Sequence, residues 1–278
     1  SSSGLNFGTQ TPLPITNIAG LETVDLDNDG RQEILYINPA TNRLFVYKNN
    51  HVGNTILGSS FSQIITLLGV TGTIDCNKTD LDGDGKLDIL FTNSASNNFS
   101  VYRNNSSIGT LSGSSFDAIQ NFATGNSPQN FAIGDIDGDG RNDVVVANSS
   151  SNSISVFRNT SSMGSISFAP KVDFTTGSEP LGVNIGDING DGKPDIVVSN
   201  NISNTISIFR NTASLGVINI ASLAARVDIA TLTNPRKPVI CDMDGDGKSE
   251  IVVPHIGSGS FSIFKNNIQV VTNLDTPT

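Results

Sequence analysis

GDIDGDGRNDVVVANS, residues 134–149, places Asp135, Asp137, Asp139 and Asp143 within nine positions and then runs straight into an apolar segment. Four carboxylates held this close repel one another, so the loop needs a counter-charge. The same pattern recurs with its first acid at Asp25, Asp80, Asp135, Asp187 and Asp242, spaced 55, 55, 52 and 55 residues apart. A fixed period of that length marks a repeat array.

Four segments accompany each loop in a constant order. A short apolar stretch enters it (QNFAIGDI, KPVICDM), and a second leaves it (EILYIN, DILFTN, DVVVAN, DIVVSN, EIVVPH). The third alternates strictly (LFVYKNN, FSVYRNN, ISVFRNT, ISIFRNT, FSIFKNN), and the fourth begins near Phe61, Phe116, Phe168 and Leu223. All are short, rich in β-branched or aromatic residues and bounded by Asn, Ser and Gly, so each reads as a strand. Four antiparallel strands per unit at this period describe a propeller blade. The chain starts with a fourth-strand segment, Leu5–Thr11, and ends after a third-strand one, Phe261–Asn267. The N-terminal strand is therefore expected to complete the last blade and remove both free edges. The expectation is an all-β protein, a β-propeller of five four-stranded blades. It forms a single domain over residues 1–270, with 271–278 as a tail or the start of a linker.

Bulk properties narrow the partners. The formal charge is −10, and 19 of the 26 acidic residues lie in the five loops. Nucleic-acid binding needs clustered Lys and Arg, so the balance argues against it. No apolar run approaches the roughly 20 residues that span a bilayer, so no membrane insertion is expected. Low charge with abundant Ser, Thr, Asn and Gly suits a loop-rich extracellular β protein, secreted or at the cell surface. Cys76 and Cys241 are too few for a disulfide framework and fall on opposite faces of equivalent strands, so two separate thiols are expected.

The first loop holds Asp25, Asp27, Asp29, Gly30, Arg31 and Glu33; the second, Asp80, Asp82, Asp84, Gly85, Lys86 and Asp88. The third holds Asp135, Asp137, Asp139, Gly140, Arg141 and Asp143. The fourth holds Asp187, Asn189, Asp191, Gly192, Lys193 and Asp195; the fifth, Asp242, Asp244, Asp246, Gly247, Lys248 and Glu250. Calcium takes six to eight hard oxygen ligands in a flexible shell. Side chains at positions 1, 3 and 5, the backbone carbonyl at 7 and the carboxylate at 9 can supply that shell, and Gly at 6 permits the tight turn. About five Ca2+ sites are expected, and five divalent ions would balance the formal charge. The EF-hand alternative fails, because its twelfth residue is a bidentate Glu whereas Tyr36, Phe91, Val146, Val198 and Val253 stand there. Magnesium, which prefers a tight octahedron and keeps its waters, suits the loops less well.

The pattern D-x-[DN]-x-D-G-x-x-[DE] followed by an apolar strand resembles the FG-GAP/VCBS repeats, which build the calcium-binding propeller at the head of integrin α chains and occur in bacterial surface proteins. The resemblance covers nearly the whole chain. It implies calcium in the loop between first and second strands, at the residues named above. Two features depart from it: integrin-type propellers have seven blades where five units are visible, and Asn189 removes one charge from the fourth site.

No catalytic constellation is visible. His51 and His255 lie in predicted connections without a repeated partner, so the chain reads as not an enzyme. Lys48, Arg103, Arg158, Arg210 and Lys265 close the third strands and read as charge balance beside the loops. The second-to-third connections (NPATN, NSASN, NSSSN, NNISN, HIGSG) should lie on the face opposite the loops. Their Asn residues serve the turns or form an amide rim. His255 breaks the pattern in one unit, beside the basic segment containing Arg236, and both are expected to be exposed ligand contacts. The functional expectation is a binding or adhesion module for a glycan or protein partner, a monomeric domain of a larger protein. A lectin and an accessory domain of a secreted polysaccharide-active enzyme are the alternatives, although the lack of Trp disfavours stacking-type sugar platforms.

Overall fold

The computed structural model describes residues 12–268, apart from 14, 19, 54, 55, 70, 73 and 74. Its first sheet comprises β1 (Gly20–Val24), β2 (Glu33–Asn38), β3 (Arg43–Asn49) and β4 (Phe61–Leu67). The second holds β5 (Cys76–Thr79), β6 (Asp88–Asn93), β7 (Asn98–Tyr102) and β8 (Gln120–Ala123). The third holds β9 (Pro128–Gly134), β10 (Asp143–Asn148), β11 (Ser153–Phe157) and β12 (Val172–Thr175). The fourth contains β13 (Pro180–Gly186), β14 (Asp195–Asn200), β15 (Thr205–Phe209) and β16 (Val227–Ala230). The fifth contains β17 (Val239–Cys241), β18 (Glu250–His255) and β19 (Ser260–Phe264). Every pairing is antiparallel between sequence neighbours, and helix among the described residues is limited to single 3-10 turns. The protein is all-β. The strand expected at Leu5–Thr11 and the tail 271–278 lie outside the described residues.

Side-chain alternation explains the stacking. Strands β6, β10 and β14 are buried along their whole length, because a sheet covers each face. Ile89 and Phe91 point into a core shared with Leu35 and Ile37 of the first sheet. Leu90, one residue over, points the other way, into a core with Phe131, Val144 and Val146 of the third. Val145 and Ala147 then meet Ile196 and Val198, and Val197 meets Ile251 and Val253. Four apolar cores thus join five sheets in sequence. Each fully buried Val, Leu or Ile stabilises by roughly 1.5–3 kcal/mol, so these joints hold the array together.

The turns follow from residue chemistry. Each second-to-third connection ends on a left-handed residue, Asn42, Asn97, Asn152, Asn204 or Gly259, with φ between 50° and 60°. Asn tolerates that region and Gly enters it freely, which explains why only these two types stand there. The Asn side chains also tie adjacent sheets: Asn97 Oδ1 accepts from Ser127 N, and Asn152 Oδ1 from Glu179 N, both at 2.8 Å. Asn97 and Asn152 are therefore engaged in joining sheets rather than free on a rim.

Candidate metal centres

Each acidic loop joins the first strand of a sheet to its second and is folded around its own carboxylates. The position-1 Asp accepts the N–H of the position-6 Gly: Asp25 from Gly30, Asp80 from Gly85, Asp135 from Gly140 and Asp187 from Gly192 at 2.8 Å, and Asp242 from Gly247 at 2.9 Å. Those glycines have φ of 81–85°, where a side chain would be strained. The position-5 Asp accepts the N–H of position 7, as Asp84 does from Lys86 at 3.0 Å.

Position 9 acts as a clip. One oxygen of Asp88 accepts Leu81 N at 3.0 Å, inside the loop, and the other accepts Asn104 N at 2.9 Å, just past the third strand. Asp143 does the same with Ile136 and Asn159, and Asp195 with Ile188 and Asn211. Glu33 and Glu250 reach the same partners, with a longer 3.4 Å bond to Asn49 and Asn266. Burial pushes Glu33, Asp88 and Asp143 up to about 7; the backbone donors pull the other way, and the neighbouring loop carboxylates add to the rise. Asp195 is raised for the same reasons.

The chain supplies part of the counter-charge itself. Lys48 pairs with Asp27, and Lys265 with Asp244. Arg103 spans Asp82 and Asp84, and Arg158 spans Asp137 and Asp139. Burial would raise Asp82, but the Arg103 guanidinium and the Gly164 N–H outweigh it and hold its carboxyl below the usual range. The position-7 side chains Arg31, Lys86, Arg141 and Lys248 reach the position-5 carboxylates Asp29, Asp84, Asp139 and Asp246. The fourth loop differs. With Asn189 at position 3, Arg210 makes no ion pair among the described residues, and Lys193 turns to Ala213 O at 2.7 Å.

Four groups of carboxylates have ligand atoms within 4.8 Å of one another and can hold a metal ion. They are Asp25, Asp27 and Asp29; Asp80, Asp82 and Asp88; Asp135, Asp137 and Asp143; and Asp242, Asp244 and Asp246. The fourth loop brings together no such group of three among the described residues. Asp27 Oδ1 and Asp135 Oδ1 are buried and have no hydrogen-bond partner, although the other oxygens of those loops are well supplied. A buried carboxylate oxygen without a donor is costly, and a hard cation is the ligand these all-oxygen donor sets fit.

The expectation that His255 is exposed is corrected by the structure. The residue closes β18 and is 2% exposed, with Nε2 at 3.0 Å from Ser262 Oγ. Asn93, Asn148 and Asn200 occupy the same repeat position and donate to Ser100, Ser155 and Ser207. The imidazole therefore does the work of a core amide, and its burial holds its pKa below the ordinary value. Arg236 is half-buried and donates to Asn201 Oδ1 at 3.3 Å. Cys76 is buried and Cys241 exposed, both as free thiols.

The asparagine just past each third strand escaped the reading of the sequence. Asn104, Asn159, Asn211 and Asn266 donate through Nδ2 to Leu26, Leu81, Ile136 and Ile188 O, in the loop of the preceding sheet. The signal was present, since Asn follows Arg or Lys there in all five units.

A family model described as the FG-GAP-like repeat matches residues 80–146, 135–198 and 188–253. No curated protein matches the chain significantly. Among solved structures, BBS1N in complex with ARL6DN is 8% identical at a TM-score of 0.55, the match covering 91% of this chain and 67% of that one. A Bacteroides fragilis protein assigned as a 6-phosphogluconolactonase is 15% identical at 0.56, covering 84% and 63%. A virginiamycin B lyase from Staphylococcus aureus is 13% identical at 0.47, covering 92% and 73%. At such identities the likeness shows a propeller-like fold alone. The expectation that the chain is not an enzyme is corrected: a protein assigned as an enzyme shares this fold, so all-β repeats without a recognised motif give no ground for excluding catalysis.

Proposed function

Because this chain belongs to the FG-GAP-like repeat family, we propose that it is a calcium-stiffened binding module that works outside the cell and docks a protein partner. The observation that carries the calcium reading is Asp27 Oδ1, buried and without a donor among carboxylates that converge on it. Charge supports it. The first, second, third and fifth loops each hold four acids against two chain cations, leaving two negative charges, the charge of one divalent ion. When bound, calcium supplies a hard positive charge that draws the carboxylates of a loop together.

The chain's own residues do the rest. The position-9 clip fixes the loop to the third strand, and the position-6 glycine turns the backbone around the position-1 Asp. In the first loop Lys48 holds one oxygen of Asp27 and leaves the other, Oδ1, for the ion. Asn189 weakens the fourth site by one charge. Extracellular calcium is plentiful enough for sites of modest affinity, which supports placing the module there. The protein-partner reading draws on BBS1N, which is bound to the protein ARL6DN. The four continuous cores support treating all five units as one domain.

Calorimetric titration of the metal-stripped chain with calcium tests the proposal. Several sites should fill, and Asp27→Asn should remove or weaken one of them. A chain that takes up no calcium, and melts identically with and without it, refutes the calcium reading.

A further inference from the structure

Positions 3 and 4 of the acidic loops read Asp82-Gly83, Asp137-Gly138 and Asp244-Gly245 in the second, third and fifth units, and Asn189-Gly190 in the fourth. No other asparagine of the chain precedes a glycine. The backbone makes no distinction between the two pairs. Gly83, Gly138, Gly190 and Gly245 have φ of 76°, 74°, 77° and 78°. Gly190 N donates to Asp187 Oδ1 at 2.7 Å, as Gly83 N does to Asp80 at 2.8 Å and Gly245 N to Asp242 at 2.7 Å. The fourth loop is thus already folded to carry an aspartate at position 3.

What it lacks is the charge. Asp187, Asp191 and Asp195 face Lys193 and Arg210, three acids against two cations, where each of the other loops holds four against two. Arg103 and Arg158 each lie 2.5 Å from their position-3 carboxylate, and the matching Arg210 makes no ion pair among the described residues.

The loop is arranged for the reaction that supplies this charge. An asparagine amide is open to attack by the backbone nitrogen of the next residue, and only glycine brings no Cβ there to crowd the closing ring. The space around Gly190 is clear: a Cβ would meet nothing within 4 Å, and the residue is exposed. Asp191 N donates to Asn189 Oδ1 at 2.9 Å, which polarises the carbonyl under attack. The departing amine, Nδ2, donates to Asp191 Oδ2 at 3.1 Å. Asp187 Oδ1, on the attacking N–H, is placed to take its proton as the new bond forms.

We propose that Asn189 is a site of spontaneous deamidation whose conversion completes the acidic set of the fourth loop. The bond from Gly190 N to Asn189 Cγ forms, the Cγ–Nδ2 bond breaks, and the amine leaves as ammonia with the proton lost from Gly190. Water then opens the cyclic imide. Cleavage at Cγ gives aspartate, and cleavage at the backbone carbonyl gives isoaspartate. The net reaction consumes one water and exchanges an amide for a carboxylate, with no oxidant or reductant. The loop then holds four acids against two cations, and Arg210 gains the partner that Arg103 and Arg158 have. Resting on the calcium reading above, the fourth loop thereby gains a site like those of its neighbours.

Peptide mapping by mass spectrometry tests this on the full chain, freshly purified and after weeks at physiological temperature. Asn189→Gln, whose longer side chain closes the ring far more slowly, is the control. The peptide containing Asn189 should shift from amide to acid ahead of every other asparagine peptide and include an aspartate fraction. Isoelectric focusing should show an added acidic band that Asn189→Gln lacks. Conversion no faster at Asn189 than at the other asparagines overturns the proposal. So does a product that is isoaspartate alone, because the longer backbone breaks the loop instead of completing it. Asn189→Asp, titrated with calcium beside the unsubstituted chain, should fill one more site at the same calcium concentration. Equal uptake by the two chains overturns the completion of the fourth site. If neither takes up calcium, the calcium reading itself fails, and the conversion is judged by the mass of the peptide alone.

Discussion

Asn159→Ala removes the side chain that links the second and third sheets, and its cost can be worked from the hydrogen bonds. Asn159 is fully buried. Its Nδ2 donates to Leu81 O at 2.9 Å and Asn142 O at 3.0 Å, and its Oδ1 accepts Ser161 N at 2.8 Å. The backbone N–H bond to Asp143 survives the substitution. Three bonds vanish and leave buried backbone groups without partners, at about 1–1.5 kcal/mol each, so the loss is about 3–5 kcal/mol. For a chain of this size that lowers Tm by about 10 °C. Asn49→Ala is the internal control. It loses bonds to Gln32 O at 3.2 Å and from His51 N at 3.0 Å, in a half-exposed setting with no bond to another sheet. Its cost should be about 1 kcal/mol. Urea unfolding followed by circular dichroism, with calorimetric melts, measures both. Equal losses in the two variants, or a loss below about 1 kcal/mol for Asn159→Ala, would refute the view that this asparagine locks one sheet to the next.

Calcium removal should destabilise strongly, since a ligand at one hundred times its Kd stabilises by about 2.7 kcal/mol per site; a melt that does not move in excess chelator counts against this. Without calcium, stability should fall as pH rises from about 4 to about 7. Glu33, Asp88 and Asp143 have folded pKa values raised to about 7, so the folded state holds more protons than the unfolded chain across that window. With calcium present, affinity should instead rise with pH through the same range, because protons and calcium compete for these loops; titrations at pH 5 and 8 check both signs. His255→Asn restores the amide found at Asn93, Asn148 and Asn200 and should leave Tm nearly unchanged. His255→Ala opens a cavity and strips Ser262 of its partner, at a cost of about 2 kcal/mol; equal melts for the two variants would contradict the amide-like role.

In the acidic loops, ion pairing within the chain and the convergence of carboxylates go together. In the second loop, Arg103 lies at 2.5 Å from both Asp82 and Asp84, yet Asp80, Asp82 and Asp88 still converge closely enough for a cation. Where position 3 becomes Asn189, the matching Arg210 loses its partner and the cluster disappears together. Position 3 thus decides both features, the ion pair with the chain's own cation and the convergence of carboxylates that could hold a metal ion.

The repeat period, the strand identity of each segment and the family are all local properties, and the residue order determined them. Alternation in DVVVAN or ISVFRN shows which side chains share a face, and D-x-D-x-D-G shows a turn that needs a left-handed glycine. What the order could not show is which face meets which neighbour. Asn159 and Leu81 are 78 residues apart and meet only because two sheets stack at one register. For the same reason His255, which stands out as a break in the repeat, is a buried partner of Ser262, since its strand lies against the fourth sheet and carries that position inward. Periodicity makes all five units look alike, and only stacking decides which of their equivalent side chains a neighbouring sheet covers.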